Sequence, residues 1–436
     1  MPRQELRAAR QWRSEPASKR RSCGLLLVVG MVFLGACAGS SKGLDTKSQS
    51  PAESTTLILI SLDGFRWDFM ELAETPSLDR LAASGVRAQR LIPVFPTKTF
   101  PNHYSIATGL YPEHHGIVAN NFYDPAFDAS FMLAEPATHS AAHWWEGQPI
   151  WVTAERQGLT AATYFWPGSE EEFDGIRPSH WKPYDQEVPY EERIDQVLTW
   201  LDSDKNDRPD FIALYIDLID TVSHSHNPES SPEVAAAIRT VDGLLGRLLE
   251  GLELSGHLDR VNLMVVSDHG MASTSPDRVI FLDDYLATEE LRILDWDPVL
   301  SIWTDPGEED EVYDTLAGAH PHLRILRKDD IPDEWHYRDH RRIPPILGVA
   351  DEGWSITSRP FYASNPAFFE GANHGYEPSI DSMGALFLAN GPAFEEGLIV
   401  PPVEAVDLYE LMCSILGLEP AMNDGDLARA QHLLHH

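Results

Sequence analysis

The stretch Thr56-Leu57-Ile58-Leu59-Ile60-Ser61-Leu62-Asp63-Gly64 decides the fold. It is an unbroken apolar run that stops on a carboxylate and a glycine. A strand with one wet face alternates apolar and polar residues, whereas a continuous run marks a strand buried on both faces, as in a parallel sheet covered by helices. Two further runs read the same way, FIALYI at 211–216 and VNLMVV at 261–266. A later strand is expected at 384–389. Helical periodicity lies between and after these runs, most clearly at 232–254 and 406–416. The alternation predicts an α/β three-layer sandwich with a mostly parallel central sheet.

Residues 286–345 break the pattern. They hold PVLSIWTDPG, an acidic helical stretch EEDEVYDTLAGAH and then LRILRKDDIPDEW. They predict a small inserted α+β subdomain that divides a catalytic domain into 56–285 and 346–427.

The first 36 residues read as an address. A basic stretch precedes the apolar run GLLLVVGMVFL, which is too short to span a bilayer as a mature helix and fits a signal segment. It ends in Leu34-Gly35-Ala36-Cys37, similar to the bacterial lipobox, in which the chain is cut before a cysteine that then carries lipid. Residues 37–55 are small and polar, which suits a flexible tether. The expectation is a protein exported to the periplasmic side of a bacterial, outer, membrane, anchored through Cys37 and monomeric.

The formal net charge of −35 opposes polymeric nucleic acid, whose binding depends on Lys/Arg contacts to phosphate, but not a small nucleotide held by metal ions. Of the three cysteines, Cys23 and Cys37 fall in the address segment and Cys413 has no partner. Stability must therefore come from the core and from bound metal rather than from disulfides.

The chemistry sits where the strands end. The first run delivers Asp63, the second leads to Asp217, Asp220 and His224, and the third delivers Asp268 and His269. His374, in Ala372-Asn373-His374-Gly375-Tyr376, is a fourth contributor. Ligands of open α/β sheets bind beyond the carboxyl ends of the strands. Three carboxylates and three imidazoles at one edge repel or stay unsatisfied without a cation, and this donor set suits zinc. Six ligands exceed the needs of one tetrahedral ion. A pair of ions roughly 3.5–4 Å apart clamps the attacking and leaving oxygens of an in-line displacement at phosphorus. His336 and His340 share i,i+4 spacing but stand among three arginines that oppose a cation, so they read as surface residues. His114 and His115 read as structural.

These pieces, with the segment Phe95-Pro96-Thr97-Lys98-Thr99-Phe100-Pro101-Asn102-His103-Tyr104 and the following Ala107-Thr108-Gly109-Leu110-Tyr111-Pro112, resemble the nucleotide pyrophosphatase/phosphodiesterase family of the alkaline phosphatase superfamily. The likeness runs from about Leu57 to about Asp426. It implies an alkaline phosphatase-like fold and two zinc ions per subunit. Asp63, Thr99, Asp268 and His269 match the ligands of one zinc, and Asp220, His224 and His374 those of the other. Thr99 matches the nucleophile that becomes a phospho-threonine intermediate. Asn120 matches a donor to a phosphoryl oxygen. Phe100 and Tyr184 match the aromatic pair that sandwiches a nucleobase, and Lys98, Trp166 and Tyr215 match residues lining the nucleotide pocket. The chain lacks the glycine that often precedes the histidine matched by His224, and His226, two residues on, is a possible exchange for it. The implied activity is hydrolysis of nucleotide phosphodiester and pyrophosphate bonds to nucleoside monophosphates.

Four other readings compete. A sulfatase needs a nucleophile followed by proline and arginine at set spacings, and no arginine follows Thr99 there. A phosphomonoesterase of the superfamily usually adds an arginine for the second phosphate charge. A relative that cleaves glycerophosphocholine or phospholipid diesters would turn the same aromatics on a quaternary ammonium group. A non-catalytic surface lipoprotein would have lost a ligand or the nucleophile, and none is lost.

Overall fold

A computed structural model describes residues 56–435. The proposed signal segment, Cys37 and the tether lie outside the described residues.

Eight strands form the main sheet, in the order Leu398–Val400, Val86–Ala88, Phe387–Asn390, Val261–Val266, Thr56–Leu62, Phe211–Ile216, Ala161–Tyr164, His180–Lys182. Thr56–Leu62 is central and runs parallel to both neighbours. Phe387–Asn390 runs antiparallel to both of its own. The sheet is thus mostly parallel, as expected.

The central strand shows why its sequence has no polar alternation. Leu57 and Leu59 enter one core with Ile106, Trp151 and Leu408. Ile58, Ile60 and Leu62 enter the other with Ile194, Leu245 and Leu248. Successive side chains point to opposite faces, so both sets must be apolar when helices cover both. Each such side chain gains roughly 1.5–3 kcal/mol on burial. The helices Thr99–Thr108, Ile150–Arg156 and Asp407–Leu416 cover one face, and Pro76–Ser84, Tyr190–Leu201 and Pro232–Ser255 the other. The last of these starts where Ser231 Oγ accepts the amides of Glu233 and Val234, with Pro232 at its first turn.

The region after the third strand forms a four-stranded antiparallel sheet, in the order Arg292–Ile293, Val299–Trp303, Ile346–Ala350, Leu323–Arg327, with the helix Glu309–Leu316 against it. This sheet extends to Ala350, beyond the boundary expected at 345. The strand 346–350 is buried and apolar like those of the main sheet, and only its partners distinguish it. Its core also takes in Ile280, Ile356, Tyr376 and Met383, so it is continuous with the catalytic part. The packed chain runs past 427 as well, with Ala430 and Leu433 fully buried. Among the described residues no helix is long and apolar enough to cross a membrane.

Candidate metal and phosphoryl-transfer site

Three adjacent parallel strands end at one edge and deliver Asp63, the Asp217–His224 segment and the Asp268-His269 pair. Gly64 has φ +70°, and a Cβ there would lie 3.0 Å from Cα and Cβ of Asp220. Glycine therefore lets the first strand end close against the second, and the Asp220 amide donates to the Asp63 carbonyl at 3.1 Å. His224 follows one turn after Asp220 and meets it, Nε2 to Oδ1, at 3.3 Å. His374 Nε2 lies 3.6 Å from the same oxygen. His269 Nε2 lies 3.0 Å from Asp268 Oδ2 and 3.4 Å from Asp63 Oδ1. Thr99, the first residue of its helix, places Oγ1 3.4 Å from His269 Nε2.

Three overlapping groups of donors result. Asp220, His224 and His374 converge within reach of one ion, and so do Asp63, Asp220 and His269, and Asp63, His103 and Asp268. Their chemistry fits a cation. Asp63 Oδ1, Asp220 Oδ1 and Asp268 Oδ2 are buried carboxylate oxygens with no hydrogen-bond donor. Each of the three imidazoles spends Nδ1 on a main-chain carbonyl: His224 on Ala372 at 3.1 Å, His374 on Thr97 at 2.8 Å and His269 on Gly270 at 3.0 Å. That bond fixes the tautomer and leaves the Nε2 lone pair facing the carboxylates, the usual posture of a metal-ligating histidine. Without a cation, lone pairs would face lone pairs in a dry site.

The titration behaviour has the same origin. Burial, then the charges of Asp268 and Asp220, push the Asp63 carboxyl well above the usual range. Burial also opposes the charge of Asp268, but His269 and His103 outweigh it and hold that carboxyl low. Burial and the neighbouring His269 drive His374 well below the ordinary imidazole value, so it is neutral and free to act as a ligand.

The nucleophile segment is held from behind. Asn102 accepts the Val94 amide at 2.7 Å and donates to the carbonyls of Pro96 and Lys98, so its amide closes the loop 94–98 onto the helix. His103 is fully buried, with Nε2 2.8 Å from Ser61 Oγ, and Nδ1 2.8 Å from the Thr99 carbonyl and 3.3 Å from Asp268 Oδ2. The sequence alone assigns neither residue a role. Their polarity inside an otherwise buried helix was the available signal.

Asn120 accepts the Phe100 amide on Oδ1 at 2.9 Å, which leaves its NH2 group as the free donor. Phe100 is half-buried against Phe131 and Trp145. Tyr184 is 49% exposed, with its ring edge-on to Phe165.

The three other residues expected in the pocket spend their polar tips on partners within the fold. Trp166 is 1% exposed and donates from Nε1 to the His103 carbonyl, so it supports the helix rather than lining a cleft. Lys98 is buried, with Nζ 2.6 Å from Asp295 Oδ2. Tyr215 is buried and donates to Asp63 Oδ2 at 2.5 Å, which orients that carboxylate. Their carbon surface would fit a pocket wall equally well in sequence; only the distant partner reveals the job.

His226 stands 3.8 Å from Glu233 and takes no part in the cluster. His336 stacks on Tyr111. His340, expected at the surface, is buried beside Glu146, because Arg342 beneath it is fully buried on Asp124 and draws the segment inward. His115 is buried on Ser105, a structural role as expected, and His114 pairs with Asp424.

Comparison with known proteins agrees with this geometry. Residues 57–377 match the model of the type I phosphodiesterase / nucleotide pyrophosphatase family. Human ectonucleotide pyrophosphatase/phosphodiesterase family member 5 is 36% identical over 392 residues, covering 90% of this chain and 80% of the relative. The Xenopus laevis bis(5'-adenosyl)-triphosphatase enpp4 is 38% identical, covering 89% and 84%. The chain spans only half the length of a Crotalus durissus collilineatus venom phosphodiesterase, to which it is 38% identical. The structure of murine family member 5, as an inactive variant in complex with AMP, superposes with a TM-score of 0.83 at 37% identity, covering 87% of this chain and all of that one. The chain therefore belongs to the type I phosphodiesterase / nucleotide pyrophosphatase family, within the alkaline phosphatase superfamily.

Proposed function

We propose that this chain hydrolyses nucleotide phosphodiester and pyrophosphate bonds to nucleoside monophosphates, with Thr99 as nucleophile. The observation that carries the reading is the set of three buried, undonated carboxylate oxygens facing three Nε2 lone pairs beside the Thr99 hydroxyl. Asp63, Asp268 and His269 with Thr99 would hold one zinc ion, and Asp220, His224 and His374 the other. Bound zinc supplies Lewis acidity, lowering the pKa of a coordinated oxygen by many units and neutralising charge on the phosphoryl group.

The chain's own residues do the rest. Thr99 Oγ attacks phosphorus, the leaving oxygen departs, and a phospho-threonine forms and is then hydrolysed. The free NH2 of Asn120 donates to a phosphoryl oxygen where negative charge grows. The exposed face of Tyr184, with Phe100, offers stacking worth about 1–3 kcal/mol for any base. A monoesterase is disfavoured, since Lys98 is spent on Asp295 and Arg193 on Asp217, leaving neither for the extra phosphate charge. The murine relative, inactivated by replacing a threonine with alanine and in complex with AMP, supports both the nucleophile and the product.

The test is AMP release from a diadenosine polyphosphate and from a nucleotide aryl diester, with Thr99→Ala as control. No AMP release combined with turnover of glycerophosphocholine would transfer the reading to that substrate. We further propose export and anchoring through Cys37. A Cys37→Ser variant that stayed in the membrane fraction would count against the anchor.

A further inference from the structure

Three segments far apart in sequence meet behind the site: 97–99 with the nucleophile, 373–376 with His374, and 295–298 from the inserted region. The first two are zipped directly. Thr97 Oγ1 accepts the Gly375 amide and donates to the Tyr376 carbonyl, both at 2.9 Å, and the Thr97 carbonyl accepts from His374 Nδ1. The third grips both. Lys98 Nζ reaches Asp295 Oδ2 at 2.6 Å and the Asp297 carbonyl at 3.0 Å. Asp297 accepts on both oxygens, from the Ile356 amide on Oδ1 and from Asn373 Nδ2 on Oδ2, each at 2.8 Å. Asn373 in turn accepts the His374 amide on its own Oδ1 at 2.9 Å. Gly375 has φ +115°, and a Cβ there would lie 2.8 Å from Pro298 and 3.1 Å from Lys98. The closeness of the three segments is thus built in.

We propose that residues 295–298 act as a positioning clamp, through which the inserted region fixes the nucleophile and the His374 metal group relative to each other. Lys98 and Asn373 are the handles, each adjacent in sequence to a working residue, Thr99 and His374. The proposal rests on the zinc phosphodiesterase reading for its effect on turnover, but its effect on metal binding can be read without any substrate. Outer partners of metal ligands typically cost 10–100-fold in metal affinity or activity when lost.

The donor pattern provides the test. Asp297→Asn sets an NH2 group against a donor whichever way it turns, and Asn373→Asp sets carboxylate against carboxylate. The double variant Asp297→Asn/Asn373→Asp reverses donor and acceptor and restores every bond. Zinc affinity is measured by competition with a chelating dye, and kcat and KM with a nucleotide aryl diester. Each single variant is expected to bind the second zinc at least tenfold more weakly and to lose about tenfold in kcat with KM within twofold. The double variant is expected within threefold of the parent in both. Singles with parental zinc affinity and kcat, altered only in melting temperature, would overturn the clamp, as would a double variant no better than the singles. If the parent turned over no diester, the functional reading would fall while the zinc titration still decided the clamp.

Discussion

The imidazoles of His269 and His374 lie face to face, 3.6 Å between centroids and 10° from parallel. One ring addresses Asp63 and Asp268, the other Asp220, so the stack sets the two donor groups side by side. Stacked in this way, the rings turn their Nε2 atoms to the carboxylates of the two groups. Removing metal should therefore cost folding stability as well as activity, because the buried carboxylates are left uncompensated. Dialysis against a strong chelator is expected to abolish diester hydrolysis and lower the melting temperature by several degrees, with zinc restoring both. Full activity in a preparation shown to be metal-free would sink the assignment.

Asn120 allows a sharper test of the phosphoryl contact. Its Oδ1 is fixed by the Phe100 amide, so Asn120→Asp keeps that acceptor but sets a negative oxygen where the donor stood, whereas Asn120→Ala removes the donor without adding charge. Removal of one donor to developing charge costs about 10²–10³ in kcat. Asn120→Ala should fall in that range, and Asn120→Asp at its severe end or beyond because its charge also repels the phosphoryl oxygens, with melting temperatures near the parent's. Thr99→Ala should reduce turnover to background while still binding AMP. A change confined to KM in the Asn120 variants would place that side chain in substrate binding alone.

The sequence made the strands and their terminal ligands legible for one reason: a strand buried on both faces is almost wholly apolar and carries no charged residue until it ends. Asp63, Asp268 and His269 each stand at such an end. What it could not show were pairings across long separations. Lys98 beside Thr99 looks like a residue lining the nucleotide pocket until Asp295, 197 residues on, is seen to hold it. Trp166 and Tyr215 look like pocket walls until their polar tips are found on the His103 carbonyl and the Asp63 carboxylate. The inserted sheet extends past 345 because its inner strand Ile346–Ala350, paired on both sides and buried, reads in sequence like a strand of the main sheet.

These reassignments separate two aromatic residues experimentally. Tyr184 is half exposed, and its hydroxyl makes only a long contact of 3.4 Å with Asp217. Tyr184→Ala should raise KM for nucleotide substrates by roughly 5–100-fold, the range of one lost base stack, while Tyr184→Phe stays near the parent. Trp166→Phe removes the indole donor from a closed core. It should lower the melting temperature and kcat with little change in KM. A rise in KM for Trp166→Phe, with unchanged stability, would return that residue to the pocket.

His115 lies away from the metal groups and gives a pH signature of its own. Burial, then the neighbouring His340, lowers its pKa from 6.5 to about 3. Its Nε2 meets Ser105 Oγ at 2.9 Å and its Nδ1 accepts the Ile117 amide at 3.1 Å, so the folded state uses the neutral ring. Between pH 6.5 and 3 the unfolded chain holds a proton on this side chain that the folded chain does not. Stability must then fall as pH falls through that window, by up to about 1.4 kcal/mol per pH unit from this group. Carboxylates held low, such as Glu146 at about 2, add to the loss only below about pH 4.5, where their unfolded forms begin to protonate. Other buried groups, among them His374 held low and Asp297 raised to about 7, titrate in the interval from 6.5 to 4.5 as well, so the histidine is read from the difference between the parent and His115→Gln. Urea unfolding of the zinc-loaded protein and of His115→Gln across that interval should show the variant less stable at pH 7 but with the slope reduced by close to one proton. Equal slopes would mean that His115 takes up a proton in the folded state, against the burial seen in the fold.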